Sequence, residues 1–326
     1  MKKGRLIQVL TAIVAMVMVT GNVFATGTQE TSGGDKKIVI GFANLTDTLD
    51  FGKTVKKSIL DATAKEGWEV IALDNERKGL KAIENAQLLA TRGVDAFIEF
   101  NVDISVAGTI MDIMNDARIP VVAIDIPHPG APFFGVNNLE SGRITGAALA
   151  AKAQEKWGGK VDLLILVENA KAGAEVKKRM TGIEQGITEK IPLAKENILY
   201  VDGEGDLLKA QERVTGVLTA NPDKRNILIG TLQDPMGQGS FAAVEASKRQ
   251  DHVFIASQGA EVPSLANLRG PENCWIGSTA STPEKYGDYI IPIVKKMLAG
   301  EKTPDFTYVN HFFVDKSNVD KYYPQK

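Results

Sequence analysis

From Lys37 onward the chain alternates short apolar runs of strand length with longer segments whose apolar residues recur every three or four positions. Residues 38–42, 68–73 and 94–100 read as strands, and a fourth begins at Ile119. Between them, 52–66 carries Val55, Ile59 and Ala62 on one helical face, and 80–91 carries Ile83, Ala86 and Leu89. The third helix, 104–117, has Ile104, Ala107, Ile110 and Met114 on its face, the spacing of an amphipathic helix. Arg92-Gly93 is a helix stop, glycine being at home in the left-handed cap. Strands without strict alternation, separated by such helices, imply a parallel sheet covered on both faces.

The stretch 119–138, IPVVAIDIPHPGAPFFGVNN, divides the pattern in two. A buried strand ends on Asp125, a Pro/Gly-broken loop follows, and the short apolar run 133–136 leads to Asn137-Asn138. Asp125 is expected to face a cleft, and the asparagine pair to mark a crossing into a second lobe. The rhythm then restarts, with helices at 139–157, 175–190, 206–220 and 236–247, and strands at 161–167, 198–201 and 227–231. Residues 253–257, 262–268 and 275–279 continue the alternation. Two successive units of this kind make a doubled α/β architecture with parallel sheets. Ligands in such sheets sit beyond the carboxyl ends of the strands. The last portion reads as one helix, 284–298, and one strand, 307–314, and periodicity leaves open which lobe they complete.

A length of 326 residues suits two domains, at roughly 150 residues each. The net charge of -2 gives no electrostatic footprint for nucleic acid or anionic lipid. Residues 1–25 differ from the rest: Lys2, Lys3 and Arg5 precede the apolar run 6–19, and Val23-Phe24-Ala25 supplies small residues at cleavage spacing. That is a secretory signal peptide, the apolar run being too short for a membrane span. It predicts a periplasmic protein. No cysteine lies near the cleavage point, so lipid anchoring is not expected. Residues 26–36 are polar and glycine-rich, a flexible leader. The single cysteine, Cys274, lies in an apolar run and reads as a small core residue.

Enzyme signatures are missing: no phosphate-binding G-x-x-x-x-G-K-[ST], no G-x-S-x-G elbow, no HExxH. His128, His252 and His311 are scattered, and one cysteine cannot build a thiolate zinc site. No cofactor or metal is expected. What recurs is polar or aromatic residues at the carboxyl ends of strands: Asn44, Asp47, Asp50 and Phe51, then Phe100 to Asp103 including Asn101, then Asp125. Later come Glu168-Asn169, Gln233-Asp234, Gln258-Gly259 and Ser281. Each alone has a plain explanation as a turn or helix cap, but together they would point into one interlobe cleft. Carboxylates, amides and guanidinium groups satisfy hydroxyls, and an aromatic plate such as Phe51 or Trp275 suits the C–H face of a sugar. Trp275 lies on a core strand and reads rather as packing.

Over about 37–314 the chain resembles the periplasmic sugar-binding proteins of ABC transporters, the ribose- and galactose-binding, type I group. The resemblance rests on Gly93-Val94-Asp95-Ala96, Ile119-Pro120-Val121-Val122 leading to Asp125, Asn137-Asn138 followed by Gly142, and Arg179 with Gly182. It continues through Asp234-Pro235-Met236-Gly237, Ser257-Gln258-Gly259 and Pro283 to Gly287. It implies two Rossmann-like lobes joined by three crossings that close on one sugar. The N-terminal lobe would be 37–137 with 282–310, and the C-terminal lobe 138–281 with 311–326. Phe51 matches a stacking aromatic, Asp125 the acid that binds sugar hydroxyls, and Arg179 the second-lobe arginine that clamps the sugar. Asp50 stands where the ribose group has proline, and Ile126 where it has arginine. Gln233 stands in place of Asn, Gln258 in place of Asp, and Ser281 in place of Gln. Asn44, Asn101 and Asn137 complete the set of candidate ligand contacts. The departures argue against ribose itself.

The expected function is a secreted, monomeric binding protein that captures a monosaccharide or related polyol and presents it to an ABC transporter permease. The alternative is a periplasmic sensor that shows the ligand to a chemoreceptor or histidine kinase. A cytoplasmic sugar-responsive repressor is disfavoured, because a signal peptide occupies the place of a DNA-binding helix pair.

Overall fold

The computed structural model describes residues 37–325, so the expected signal peptide and leader lie outside the described residues. Along the chain run β1 (Val39–Asn44), α1 (Asp50–Lys65), β2 (Glu69–Asp74), α2 (Gly79–Arg92), β3 (Ala96–Glu99), α3 (Ala107–Asp116), β4 (Val121–Ile124) and β5 (Phe133–Gly135). There follow α4 (Asn138–Trp157), β6 (Leu163–Glu168), α5 (Gly173–Thr188), β7 (Ile198–Asp202), α6 (Leu207–Ala220), β8 (Ile227–Thr231), α7 (Asp234–Ala246), β9 (Val253–Gly259), α8 (Val262–Arg269) and β10 (Trp275–Ala280). The chain closes with α9 (Tyr286–Leu298), β11 (Phe306–Tyr308), β12 (Phe313–Asp315) and α10 (Val319–Tyr322). They form two six-stranded sheets, ordered β2-β1-β3-β4-β5-β11 and β7-β6-β8-β9-β10-β12. Every neighbour in the first sheet is parallel. In the second only β12 runs antiparallel.

The sequence pattern explains the layers. In the first lobe Ile40, Phe42, Ile98 and Ile124 pack against Val55 and Ile59 of α1 and Ile290 and Val294 of α9. On the other face Phe97 and Val121 meet Leu89 of α2 and Ile110 and Met114 of α3. The second lobe repeats this with Ile165, Ile229 and Ile255 at its centre. Helices α4 and α5 approach closely, since a Cβ at Gly142 would collide with the Arg179 carbonyl oxygen and one at Gly182 with that of Leu139. Gly93 caps α2 at φ 64°, the left-handed stop read from the sequence.

Two expectations are corrected. Segment 307–314 is not one strand: β11 joins the first sheet and β12 the second, with a lobe crossing between them. The crossing residue His311 accepts from Asn137 N–H through Nε2 at 3.0 Å and donates from Nδ1 to the Ala280 carbonyl at 3.2 Å. One imidazole thus ties together all three passages between the sheets. Burial pushes it down to about 4, so it stays neutral and keeps this pair of roles. The third helix begins later than expected, because Asp103 accepts from Ser105 N–H and caps a separate 3-10 turn at 104–106. Ile104 is therefore 38% exposed rather than inward. Among the described residues no helix is long and apolar enough to cross a membrane, and none form a cluster that could hold a metal ion.

Candidate functional site

Between the lobes lies a cavity, partly open to solvent, lined by the carboxyl ends of strands from both sheets. Asp125 follows β4 at φ 59°, a left-handed turn that directs its side chain across the sheet edge. Its Oδ1 accepts from Val136 N–H at 3.0 Å and its Oδ2 from the Tyr286 hydroxyl at 3.3 Å. Glycine is required at 135, since a Cβ there would meet Asp125 Oδ1. Burial raises the Asp125 carboxyl above its ordinary range, while the Arg179 guanidinium across the cavity pulls the other way. The two interact through space, and no ion pair joins them.

Arg179 reaches the cavity because the glycine contacts let α5 press against α4. Its Nε donates to Asn138 Oδ1 at 3.0 Å and its Nη1 to the Leu232 carbonyl at 2.8 Å, which fixes the fork and leaves Nη2 free. Gln258, at the end of β9, accepts from the Ser141 hydroxyl through Oε1. Its buried Nε2 has no partner, a donor that costs stability unless a ligand accepts from it. Gln233 donates from Nε2 to the Gly205 carbonyl at 2.9 Å. Phe51 meets Phe100 and Tyr286 edge-on, at centroid distances of 6.1 and 5.8 Å.

The structure brings Phe51, Asn101, Asp125, Arg179, Gln233, Gln258 and Ser281 to one cavity. It does not bring Asn44, Asp50 or Asn137 there. Asn44 is fully buried and spends its amide on the Thr46 and Gly52 carbonyls and Asp47. Asp50 opens α1 and pairs with Lys53 at 3.4 Å. Asn137 caps α4 by accepting from Glu140 N–H. Asp234, also at a strand end, is buried and accepts from the hydroxyls of Ser257, Ser264 and Ser278. Trp275 is packing, its Nε1 donating to Ser257 Oγ and the Gly277 carbonyl.

Three residues escaped the sequence reading. Arg77 and Glu261 line the cavity, and Tyr286 supports Asp125 from beneath. Arg77 follows β2, so the strand-end rule could have found it. Glu261 lies just past Gln258. Its carboxyl is raised well above the ordinary range by burial, with Asp234 and Asp50 adding to the shift. Below the cavity, Glu99 is fully buried, accepts from Asn101 and Asn75, and is pushed by burial to about 8.

The lips of the cleft touch. Arg77 Nη2 donates to the Gly205 carbonyl at 2.7 Å and that of Glu204 at 3.3 Å, and Ile104 lies against Gly173. Ile126, from the first lobe, packs into the second lobe's hydrophobic cluster. This is a closed arrangement.

Two α/β lobes joined by three passages and closed over a shared polar cavity define a hinged binding protein. The chain belongs to the periplasmic binding protein family, whose model, described as a periplasmic binding protein domain, matches residues 40–302. Among curated proteins it is similar to the ribose import binding proteins of Salmonella typhimurium and Escherichia coli. Each is 25% identical over 253 residues, which cover 75% of this chain and 81% of the relative. Among solved structures it resembles a Mycobacterium smegmatis ABC transporter solute-binding protein with bound glycerol, at TM-score 0.77 and 22% identity, covering 89% of this chain and 98% of that one. A Bacillus halodurans solute-binding protein with bound myo-inositol gives TM-score 0.75 at 19% identity, over 89% and 98%. At these identities the solved structures share the fold. The relatives are binding proteins rather than enzymes.

Proposed function

We propose that this protein captures a monosaccharide or related polyol between its lobes in the periplasm and delivers it to the permease of an ABC transporter. The observation that carries this reading is the meeting, at one interlobe cavity, of Asp125 from the first lobe with Arg179, Gln233 and Gln258 from the second. Donor and acceptor groups of that kind, converging from two lobes, are what vicinal hydroxyls require. Phe51 offers a hydrocarbon face. The lobes would be 37–137 with 282–310, and 138–281 with 311–326, moving about the three passages that His311 holds together.

The mechanism is hinge closure. A ligand touching Asp125 and Phe51 on one lobe and Arg179, Gln233 and Gln258 on the other makes its full set of contacts only when the cleft is shut, so it selects the closed state. A Kd of ~1 μM corresponds to about 8 kcal/mol. A handful of hydrogen bonds at ~1 kcal/mol, or ~1.5–3 kcal/mol to charged groups, together with stacking supplies that. A thermal-shift screen over pentoses, hexoses, polyols, sugar acids and nucleosides tests the reading, since a ligand that binds only the folded state raises Tm. A neutral sugar or polyol should stand out. A hit confined to nucleosides or to charged molecules would contradict it.

A further inference from the structure

The two walls of the cavity differ in kind. On the first lobe's side Asn101 is spent on the protein, donating to Glu99 and His128 and accepting from Asp103 N–H. Arg77 is turned toward the carbonyls of the opposite lip. Asp125 is left as the polar group there with open valence, and the wall around it is hydrocarbon, including Leu45, Leu49, Val102 and Ile126. On the second lobe's side the open valences gather. Two of Arg179's five N–H donors are used on Asn138 and Leu232, which leaves three. Gln258 Nε2 is unpartnered, and Gln233 keeps its Oε1.

Ile126 makes the asymmetry sharper. It is 3% exposed and packs with the hydrophobic cluster that contains Ala172 and Val176, and all three line the cavity. An apolar strip therefore crosses from one lobe to the other. A hydroxyl pressed on that strip would lose water and find no partner, whereas a methyl or methylene gains by burial. The cavity has room of about 90 Å3 for the centres of water molecules. That room suits a ligand of monosaccharide size.

We infer that the ligand is a neutral deoxy sugar of monosaccharide size, its deoxygenated edge against Ile126, Ala172 and Val176 and its hydroxyls toward Arg179, Gln233 and Gln258. This rests on the sugar-capture reading above and narrows it. The test is titration calorimetry of the purified protein against matched pairs: L-rhamnose with L-mannose, D-fucose with D-galactose, and 2-deoxy-D-ribose with D-ribose. In at least one pair the deoxy member should bind about tenfold or more tighter than its hydroxylated parent, the scale of one hydroxyl left unpaired. Replacing Ile126→Ser gives the strip a hydroxyl partner and should shrink that preference. If a parent sugar binds and no deoxy partner binds more tightly, the deoxy assignment falls while sugar capture stands. If no member of any pair binds, the deoxy assignment falls, while sugar capture is decided separately by the thermal-shift screen. A preference that Ile126→Ser leaves unchanged would overturn the placement of the deoxygenated edge.

Discussion

Replacing Arg179→Ala tests the cavity most severely. The guanidinium holds the Asn138 side chain at 3.0 Å and the Leu232 carbonyl at 2.8 Å, and it offers its remaining N–H groups to the cleft. Removal leaves those two acceptors without their donor, at ~1–3 kcal/mol for a buried orphan group, so Tm should fall by several degrees. On the ligand side, losing one or two charge-assisted hydrogen bonds at ~1.5–3 kcal/mol each weakens Kd by roughly ten- to a thousandfold or more. A further effect follows from charge. Arg179 is the group that pulls the Asp125 carboxyl down against the rise caused by burial. Without it the carboxyl rises further, and any binding that remains should weaken as pH falls, because the acceptor becomes protonated. Arg179→Lys keeps the charge but not the fork, so it should restore the pH profile better than the affinity. Calorimetry across pH, paired with thermal unfolding, separates the effects. Wild-type affinity in Arg179→Ala, with an unchanged Tm, would refute the reasoning.

Other outcomes follow from the same geometry. Gly182→Ala drives a methyl into the Leu139 carbonyl at the α4–α5 crossing, so it should cost at least ~2 kcal/mol in denaturant unfolding and weaken sugar binding by displacing Arg179; a neutral result in both would contradict the packing account. Glu99 holds its proton to about 8 in the folded state against an ordinary 4.5. Its contribution is therefore fully present below pH 4.5 and is lost as pH rises toward 8, at about 1.4 kcal/mol per pH unit. Glu99→Gln should flatten that slope in chemical denaturation, and parallel wild-type and variant curves would exclude Glu99 as its source. Arg77→Ala removes the lip contacts to Gly205 and Glu204, so stopped-flow release of bound sugar should quicken several-fold while the unfolding midpoint moves little. Unchanged release would mean that the latch does not hold the closed form.

The fold was legible because its signal is redundant. Buried parallel strands read as unbroken apolar runs, and helices on both faces repeat a 3.6-residue period. Segment 307–314 reads as a single strand because the break at Asn310-His311 is a matter of which sheet each half pairs with, not of local pattern. Ile104 looked inward by periodicity, but the Asp103 cap starts a separate turn and turns it to the lip. The site was legible in outline, since strand ends must converge in a doubled α/β architecture. It was not legible residue by residue. Asn44 and Asp125 both stand at the carboxyl end of a strand in the same sheet, yet Asn44 closes its own turn while the left-handed backbone at Asp125 points it into the cleft. Tyr286 reaches Asp125 from a helix much later in the chain, a contact that no local motif announces. Arg77 follows β2 within reach of the strand-end rule, whereas Glu261 owes its place to packing beside Asp234, which only three dimensions supply.

On the proposed function both lobes bind one small neutral sugar through Asp125 and its partners. Titration calorimetry of wild type and Asp125→Ala with the sugar that gives the largest thermal shift tests it most directly. The expectation is one sugar per chain for wild type and an affinity at least ~100-fold weaker for Asp125→Ala, since the carboxylate supplies charge-assisted acceptors at ~1.5–3 kcal/mol each. Equal affinity in the two proteins, or a stoichiometry other than one, would contradict it.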